Sequence, residues 1–273
     1  MEYINLPSGR VAYLKKGSGQ PILLLHGLGS SVLDWQAQIE YLSQFYLVYA
    51  IDLRGHGLSD KLNTPITMAD FATDVANFIC TMNMEPCPVI GISMGGMVTF
   101  QLMAQQPELV SAAIIINSAP YFPVDSLKIR LRIFSRLLLL RFFGMKLLSR
   151  MVANNLFPAA QQQLRRVALQ RIAANDKASY LRALKAVIGW SALSEVKQLN
   201  TRVLVISGDR DYTPVSHKQK YVSQLRNAQL EVIKDSGHAS PIDQPEQVNQ
   251  LLRSFIEECH RTSKDTGYPI VCR

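Results

Sequence analysis

Short apolar runs recur along the chain, and amphipathic stretches separate them. The apolar runs cover residues 21–27, 46–52, 87–93, 111–117, 202–208 and 230–237, and a hairpin pattern with a Ser-Gly turn precedes them. Runs that are apolar along their whole length are typical of strands buried on both faces of a parallel sheet. Helical patterns occupy 30–44, 67–84, 94–106 and 245–260. Because strands and helices alternate, the pattern predicts an α/β fold with a mostly parallel central sheet flanked by helices.

The alternation stops between residues 121 and 199. This span shows several helical patterns and no convincing strand. We therefore expect residues 1–120 and 200–260 to form the α/β core and 121–199 to be an inserted helical segment, which we call the cap segment. Residues 261–273 are polar and aperiodic, and they are expected to form a loosely held tail.

Composition narrows the class of protein. The chain has 273 residues, of which 48% are hydrophobic, enough for one core with an insertion. No apolar run is long enough to span a membrane, and the N-terminal pattern is not that of a secretory signal. The cysteines show no C-x-x-C spacing, so we expect a cytoplasmic protein with reduced thiols. They are Cys80, Cys87, Cys259 and Cys272.

Positive charge is concentrated in the cap segment. The formal net charge is +8, and ten Lys or Arg but no Asp or Glu lie between residues 126 and 175. A local excess of this kind argues against a nucleic-acid-binding surface spread over the whole protein. It leaves two interpretations, a solvated basic helix face or a surface that meets anionic lipid or an acidic partner.

Residues 127–150 are predicted to be helical until Gly144. Apolar residues three or four positions apart form one face of this helix, and the basic residues fall on the other side together with Leu139 and Phe143. We expect apolar side chains of the cap segment to cover a substrate pocket at the edge of the sheet. We assign Gly27, Leu139 and Phe143 to substrate binding in that pocket. The predicted apolar face comprises Leu127, Leu131, Phe134, Leu138, Phe142, Met145 and Leu148.

A serine between glycines marks the candidate nucleophile. The stretch 91–95 reads Gly-Ile-Ser-Met-Gly, and it lies between a predicted strand and a predicted helix. A side chain on such a sharp turn projects above the carboxyl edge of the sheet, where the N-terminus of the helix also points. The context predicts that Ser93 is a nucleophile.

A serine nucleophile needs a base, and the base needs an acid that orients it. Of the five histidines, His238 follows the last predicted strand and so lies at the same sheet edge as Ser93. The end of the preceding strand offers Asp209 and Asp211, and we favour Asp211 because it leaves room for the chain to turn. The expected oxyanion hole consists of the backbone amides of Leu28 and Met94.

Five motifs together resemble those of the α/β-hydrolase fold. They read HGLGSS, DLRGHGLSD, GISMGG, GDRDYTP and SGHASPIDQPE, and they occur in the order of that family between about residue 3 and residue 258. The resemblance implies a Ser93–Asp211–His238 triad and an oxyanion hole at Leu28 and Met94. It is nearest to the small cap-bearing carboxylesterases, lactonases and carbon–carbon bond hydrolases of the family.

The favoured function is a carboxylesterase that works through an acyl-enzyme, with a small ester bearing an apolar acyl or aryl group as its substrate. A lactonase or a carbon–carbon bond hydrolase of diketone-like substrates would use the same triad. A binding protein that retains the fold without turnover is disfavoured, because every triad residue is present. We expect no cofactor and no metal, and no nucleic-acid partner.

Overall fold

Eight strands form one sheet in the computed structural model, which describes residues 1–84, 86–125 and 127–265. The sheet order is β1-β2-β4-β3-β5-β6-β7-β8, with β2 antiparallel to β1 and to β4 and all other neighbours parallel. The predicted α/β class is confirmed. The strands are β1 (Glu2–Leu6), β2 (Gly9–Lys16), β3 (Pro21–Leu25), β4 (Leu47–Ile51), β5 (Cys87–Ile92), β6 (Val110–Ile116), β7 (Arg202–Gly208) and β8 (Ala228–Ile233).

Helices cover both faces of the sheet because alternate residues of each strand point to opposite sides. Leu23 and Leu25 pack on the face covered by α2 (Met68–Thr81), α3 (Met94–Gln105) and α8 (Val215–Val222). Ile22 and Leu24 pack on the opposite face with α1 (Gln36–Leu42) and α10 (Pro245–Asp265). With both faces buried, the central strands are apolar throughout, as the sequence indicates.

A capping box begins α2. The Thr67 side chain accepts a hydrogen bond from the Asp70 backbone amide, and the Asp70 carboxylate accepts one from the Thr67 amide. Two otherwise unpaired donors at the start of the helix are thereby satisfied.

Between β6 and β7, the described residues of the cap segment form four helices. They are α4 (Leu127–Leu156), α5 (Gln162–Ala173), α6 (Lys177–Val187) and α7 (Leu193–Val196). Polar contacts join α5 and its C-terminal end to the segment after β3. Arg171 forms an ion pair with Asp34 at 2.5 Å, and the Asn175 side chain donates to the Gly29 carbonyl at 2.8 Å.

Gly144 interrupts α4, as predicted, with φ 69° and ψ −167°. The predicted apolar face of the helix is exposed at its first five members and buried only at the last two. Leu127, Leu131, Phe134, Leu138 and Phe142 are exposed, whereas Met145 and Leu148, beyond the break, are buried. A second apolar stripe, which includes Leu137 and Leu140, packs inward. The helix therefore carries apolar residues on two opposite sides, and sequence periodicity alone does not choose between them.

The C-terminal helix is longer than predicted. Residues 261–265, assigned to the irregular tail, continue α10. No glycine or proline lies between Pro245 and Gly267, so the sequence has no helix-breaking residue at position 260. The rest of the predicted tail, including Cys272, lies outside the described residues. The remaining short helix is α9 (Ser240–Asp243), and two short 3₁₀ helices span Val32–Trp35 and Pro107–Leu109.

Candidate active site

Ser93 occupies a strained turn between β5 and α3. Its φ is 53° and its ψ is −119°, a conformation that non-glycine residues adopt only when the surrounding structure holds them in it. The turn requires glycine on both sides. A Cβ on Gly91 would lie 2.3 Å from the Gly95 carbonyl oxygen, and one on Gly95 would lie 2.2 Å from the Leu25 carbonyl oxygen. The sequence pattern thus reflects backbone contacts too close for any side chain.

Hydrogen bonds hold the turn in place. The Ser93 amide donates to the Ile116 carbonyl at 3.0 Å, and the Ser118 hydroxyl donates to the Ser93 carbonyl at 2.7 Å. Met94 is the first residue of α3, so its amide is among those that have no acceptor within the helix. The Ser93 side chain therefore lies beside an unpaired backbone donor and the positive end of a helix dipole.

His238 and Asp211 are in direct contact. His238 lies in the loop after β8, and its Nδ1 is 2.8 Å from Asp211 Oδ1. The other carboxylate oxygen, Oδ2, accepts a hydrogen bond from Lys218 Nζ at 2.5 Å, and both side chains of this ion pair are fully buried. Lys218 also donates to the Thr213 carbonyl at 2.7 Å.

The pairing keeps Asp211 ionised. Burial by itself raises the pKa of this carboxyl, but the charges and hydrogen bonds of His238 and Lys218 outweigh that effect and hold the pKa below its ordinary value. Asp209 is placed differently, because its carboxylate accepts from the Ser236 amide at 3.0 Å. Of the two candidate acids, the structure brings Asp211 to His238.

Tyr212 lies between the candidate base and the candidate nucleophile. Its ring stacks on His238 with centroids 4.1 Å apart, and its hydroxyl is 2.6 Å from His238 Nε2. If Nδ1 donates its proton to Asp211, Nε2 is an acceptor and the Tyr212 hydroxyl is the donor. Burial raises the pKa of the same hydroxyl and Ser93 opposes that rise, so the serine side chain lies near it. A tyrosine that the sequence analysis did not single out thus lies beside both the candidate base and the candidate nucleophile.

Asn117 joins the loops that carry the acid and the base. Its side-chain amide donates to the His238 carbonyl at 2.9 Å and to the Ser240 hydroxyl at 2.7 Å. Its side-chain oxygen accepts from the Gly208 amide at 2.9 Å. Asn117 follows β6 with φ 47°, a left-handed conformation that asparagine tolerates better than most residues. Its contacts fix the positions of the two loops.

The loop after β3 lies against Ser93. A Cβ on Gly27 would be 3.2 Å from Ser93 Cβ and 3.8 Å from Ser93 Oγ, so Gly27 borders the serine side chain. Leu28, the expected second oxyanion donor, follows it directly and packs against both the core and the cap segment.

The other two predicted substrate-binding residues are not brought to the site. Phe143 is 64% exposed, and Leu139 is half-buried and is not part of the apolar cluster that meets Leu28. Leu137 and Leu140 belong to that cluster instead. The assignment took both residues from the basic side of α4, whereas the structure packs the side with Leu137 and Leu140 into the cluster that contains Leu28.

Arg136 reaches inward from α4. Its guanidinium donates to the Tyr180 hydroxyl, and its Cζ lies 5.6 Å from the centroid of the Tyr180 ring. Tyr180 packs beside Gly29 of the loop after β3. Arg136 also acts on Tyr212. Burial of the Tyr212 hydroxyl raises the pKa of that group, and the positive charge of Arg136 opposes the rise. Arg136 is therefore a cation near the candidate site, whereas the sequence analysis grouped all basic residues of this helix on the side away from its apolar face.

Metal ligands do not cluster in the part of the chain that the structure describes. Within those residues, no group of three or more His, Cys, Asp or Glu side chains is positioned to hold an ion.

Comparison with known proteins identifies the family. A family model described as the alpha/beta hydrolase family matches residues 22–251, and the chain belongs to that family. A curated relative, (E)-2-((N-methylformamido)methylene)succinate hydrolase of Acinetobacter baylyi, is 26% identical over 93% of this chain and 97% of its own.

Solved structures share the fold. The enol-lactonase of Burkholderia xenovorans aligns with a TM-score of 0.85 and 23% identity, over 94% of this chain and all of its own. A thermophilic esterase of Thermogutta terrifontis has the same TM-score and identity over 95% and 98% of the two chains. Family and relatives together support a hydrolase.

Two site residues that the sequence analysis missed lie close to the predicted acid in the chain. Tyr212 directly follows Asp211, and Lys218 follows a few residues later, in the first half of α8. Position after the acid indicates proximity, but only the folded chain shows that one side chain turns to His238 and the other to the second carboxylate oxygen.

The difference between the two acids gives a direct test. Asp211→Asn removes the charge that orients and stabilises the His238 imidazole, and loss of that charge lowers kcat by about four orders of magnitude in serine triads. Asp209→Asn is expected to change kcat by less than about tenfold, because Asp209 caps a turn instead. Ester turnover by the two variants, measured side by side, checks the ranking.

Folding must be separated from catalysis in this test. Asp211→Asn leaves the buried Lys218 without its counter-ion, a loss that destabilises proteins by about 3–5 kcal/mol. The double variant Asp211→Asn/Lys218→Met removes both charges, and it should unfold at a higher temperature than Asp211→Asn while staying equally inactive. An active double variant, or a larger loss in Asp209→Asn, would contradict the assignment.

Proposed function

We propose that this protein is a serine hydrolase that cleaves carboxylic esters through an acyl-enzyme. The observation that carries the proposal is the strained Ser93 turn beside an Asp211–His238 pair held at 2.8 Å on the same sheet edge. A strained backbone kept at the end of a strand, facing a buried carboxylate–imidazole pair, is the arrangement that nucleophilic catalysis by serine needs.

The reaction takes two chemical steps. The Ser93 Oγ attacks the ester carbonyl while His238 Nε2 accepts its proton, and the oxyanion binds to the Leu28 and Met94 amides. The intermediate collapses, His238 returns the proton to the leaving alcohol, and the acyl group remains on Ser93. Water, deprotonated by His238, then attacks the acyl carbonyl; the second intermediate collapses as His238 returns the proton to Ser93 Oγ, which releases the acid and free Ser93.

Tyr212 must move for this sequence to occur. Its hydroxyl occupies the position at His238 Nε2 from which the base would accept the Ser93 proton. More than half of the Tyr212 surface is exposed, so the ring has solvent to turn into. We take the observed arrangement as a resting state in which Tyr212 pairs with His238 Nε2 until substrate displaces it.

Substitution of the nucleophile tests the mechanism. Ser93→Ala should lower kcat for p-nitrophenyl esters by about six orders of magnitude, as removal of a triad serine does. A panel of increasing acyl chain length, with a lactone and a diketone run in parallel, separates the ester reaction from its two alternatives. Ser93→Ala protein that unfolds like the wild type and still turns over esters at the wild-type rate would refute the mechanism.

A second candidate is a hydrolase whose substrate carries a carboxylate. Arg136 favours it, because its guanidinium lies beside Tyr180 and acts on Tyr212, and its Nε is buried without a hydrogen-bond partner. A buried guanidinium donor is well suited to bind a carboxylate. The relative from Acinetobacter baylyi is named for a succinate derivative, and the structure from Burkholderia xenovorans is an enol-lactonase, both consistent with this candidate.

A matched pair of arginines tests the second candidate. The p-nitrophenyl half-ester of succinic acid and p-nitrophenyl butyrate differ chiefly in one carboxylate. Arg136→Gln should lower kcat/KM for the half-ester relative to the butyrate by about ten- to a hundredfold, the value of a charge-assisted hydrogen bond. Arg132→Gln, one turn away and exposed, should leave that ratio unchanged. An unchanged ratio in Arg136→Gln would eliminate Arg136 as an anion-binding residue.

A further inference from the structure

The first part of α4 exposes an apolar surface that the rest of the chain does not cover. Of the thirteen large hydrophobic side chains that are exposed among the described residues, six lie in this stretch. Five of the six share one side of the helix, and we call these five the outer face of α4. Their exposed fractions run from 39% to 72%. The outer face comprises Leu127, Leu131, Phe134, Leu138 and Phe142.

The outer face lies opposite the side that packs on the protein. Successive residues of an α-helix are turned by about 100°. This step places Leu131, Phe134 and Leu138 on the side away from Leu137 and Leu140. Those two residues pack into the apolar cluster of the cap segment that contains Tyr180. Scattered exposed apolar residues are ordinary, but a continuous apolar stripe of this length marks a surface that binds something.

Cations border the stripe. Arg130 and Arg141 lie on one side of it and Arg132 on the other, all exposed, and Lys146 follows just beyond Gly144. No acidic residue occurs between residues 126 and 175. An apolar stripe edged by Arg and Lys is the pattern of a helix that lies in the interface of a bilayer.

Charge also argues against a second copy of this chain as the partner. A two-fold symmetric contact would bring the outer face of α4 against itself and so oppose two cationic rims without an intervening acid. An anionic lipid surface instead gains from each cation, by electrostatic attraction that reaches about a Debye length. The occupant that fits both the apolar stripe and its rim is therefore a bilayer that contains anionic lipid.

The helix would lie on the bilayer and not cross it. In the described ranges of the chain, no helix is both long and apolar enough to span a membrane. An interfacial helix needs only its apolar side inserted, to a depth of about 5–10 Å. The inner side of α4 stays packed on the cap segment, so binding requires no unfolding of the helix.

We propose that the outer face of α4 binds the surface of membranes that contain anionic lipid. The proposal rests on exposed apolar area and its cationic rim, and it does not depend on the activity at Ser93. One consequence concerns the candidate site, since the helix that meets the lipid also presents Arg136 to Tyr180 on its inner side.

Vesicle flotation with the full-length protein tests the proposal. The vesicles are phosphatidylcholine alone or an equal mixture of phosphatidylcholine and phosphatidylglycerol, each at low and physiological salt. We expect binding to the mixed vesicles, weaker binding at physiological salt, and little binding to phosphatidylcholine. Phe134→Ser/Phe142→Ser should weaken the partition constant about tenfold or more per phenylalanine. Arg132→Gln/Arg141→Gln should weaken it about fivefold per cation.

Matched controls lie elsewhere on the surface. Leu58→Ser removes an exposed apolar side chain, and Lys197→Gln/Lys220→Gln removes two exposed cations. These variants should bind like the wild type, and thermal unfolding confirms that all variants are folded. The proposal is overturned by no binding to mixed vesicles at low salt, by equal binding to both vesicle types, or by equal losses in test and control variants. A dimer in light scattering that Phe134→Ser/Phe142→Ser dissociates would overturn it in favour of self-association.

Discussion

The geometry of the candidate site depends on one strained residue. Ser93 is held with a positive φ at the end of β5, a conformation that costs about 1–3 kcal/mol for a residue with a side chain. Neighbouring strands and helix leave space only for backbone at Gly91 and Gly95. The buried core around β5 and α3 supplies the rigidity that maintains this strain, and the strain displays the hydroxyl above the sheet edge.

A second constraint is electrostatic. The carboxylate of Asp211 is fully buried, and such a charge is stable only if its oxygens are paired. Lys218 neutralises one oxygen, which leaves the other for His238 Nδ1. Burial lowers the pKa of Lys218, and the nearby Asp211 carboxylate opposes that shift because it stabilises the ammonium charge. The histidine is oriented by an acid that is itself held by a lysine, and Asn117 keeps their loops together.

The sequence was sufficient for what is local or periodic. Strand positions, the α2 capping box, the break at Gly144 and the Gly-x-Ser-x-Gly turn all follow from residue types over a few positions. The sequence was insufficient where tertiary contacts decide which side of a helix is buried. The two apolar sides of α4 are equivalent in the sequence, and packing chose Leu137 and Leu140 over Phe134 and Leu138.

The same limit applies to residues of the candidate site. Tyr212 and Lys218 follow Asp211 closely in the chain, but the sequence does not say which way either side chain turns. Arg136 illustrates the point most clearly. It belongs to a basic run in the sequence, yet one turn of helix separates it from the solvated Arg132 and brings it to Tyr180.

Labelling with a fluorophosphonate probe, followed by peptide mass mapping, tests most directly whether Ser93 is an activated nucleophile. The probe reacts with a serine only when a base assists it and an oxyanion site stabilises the product. The account predicts one equivalent of probe per chain, bound to the peptide that contains Ser93. Folded protein that takes up no probe, or that carries it on a different serine, would contradict the account.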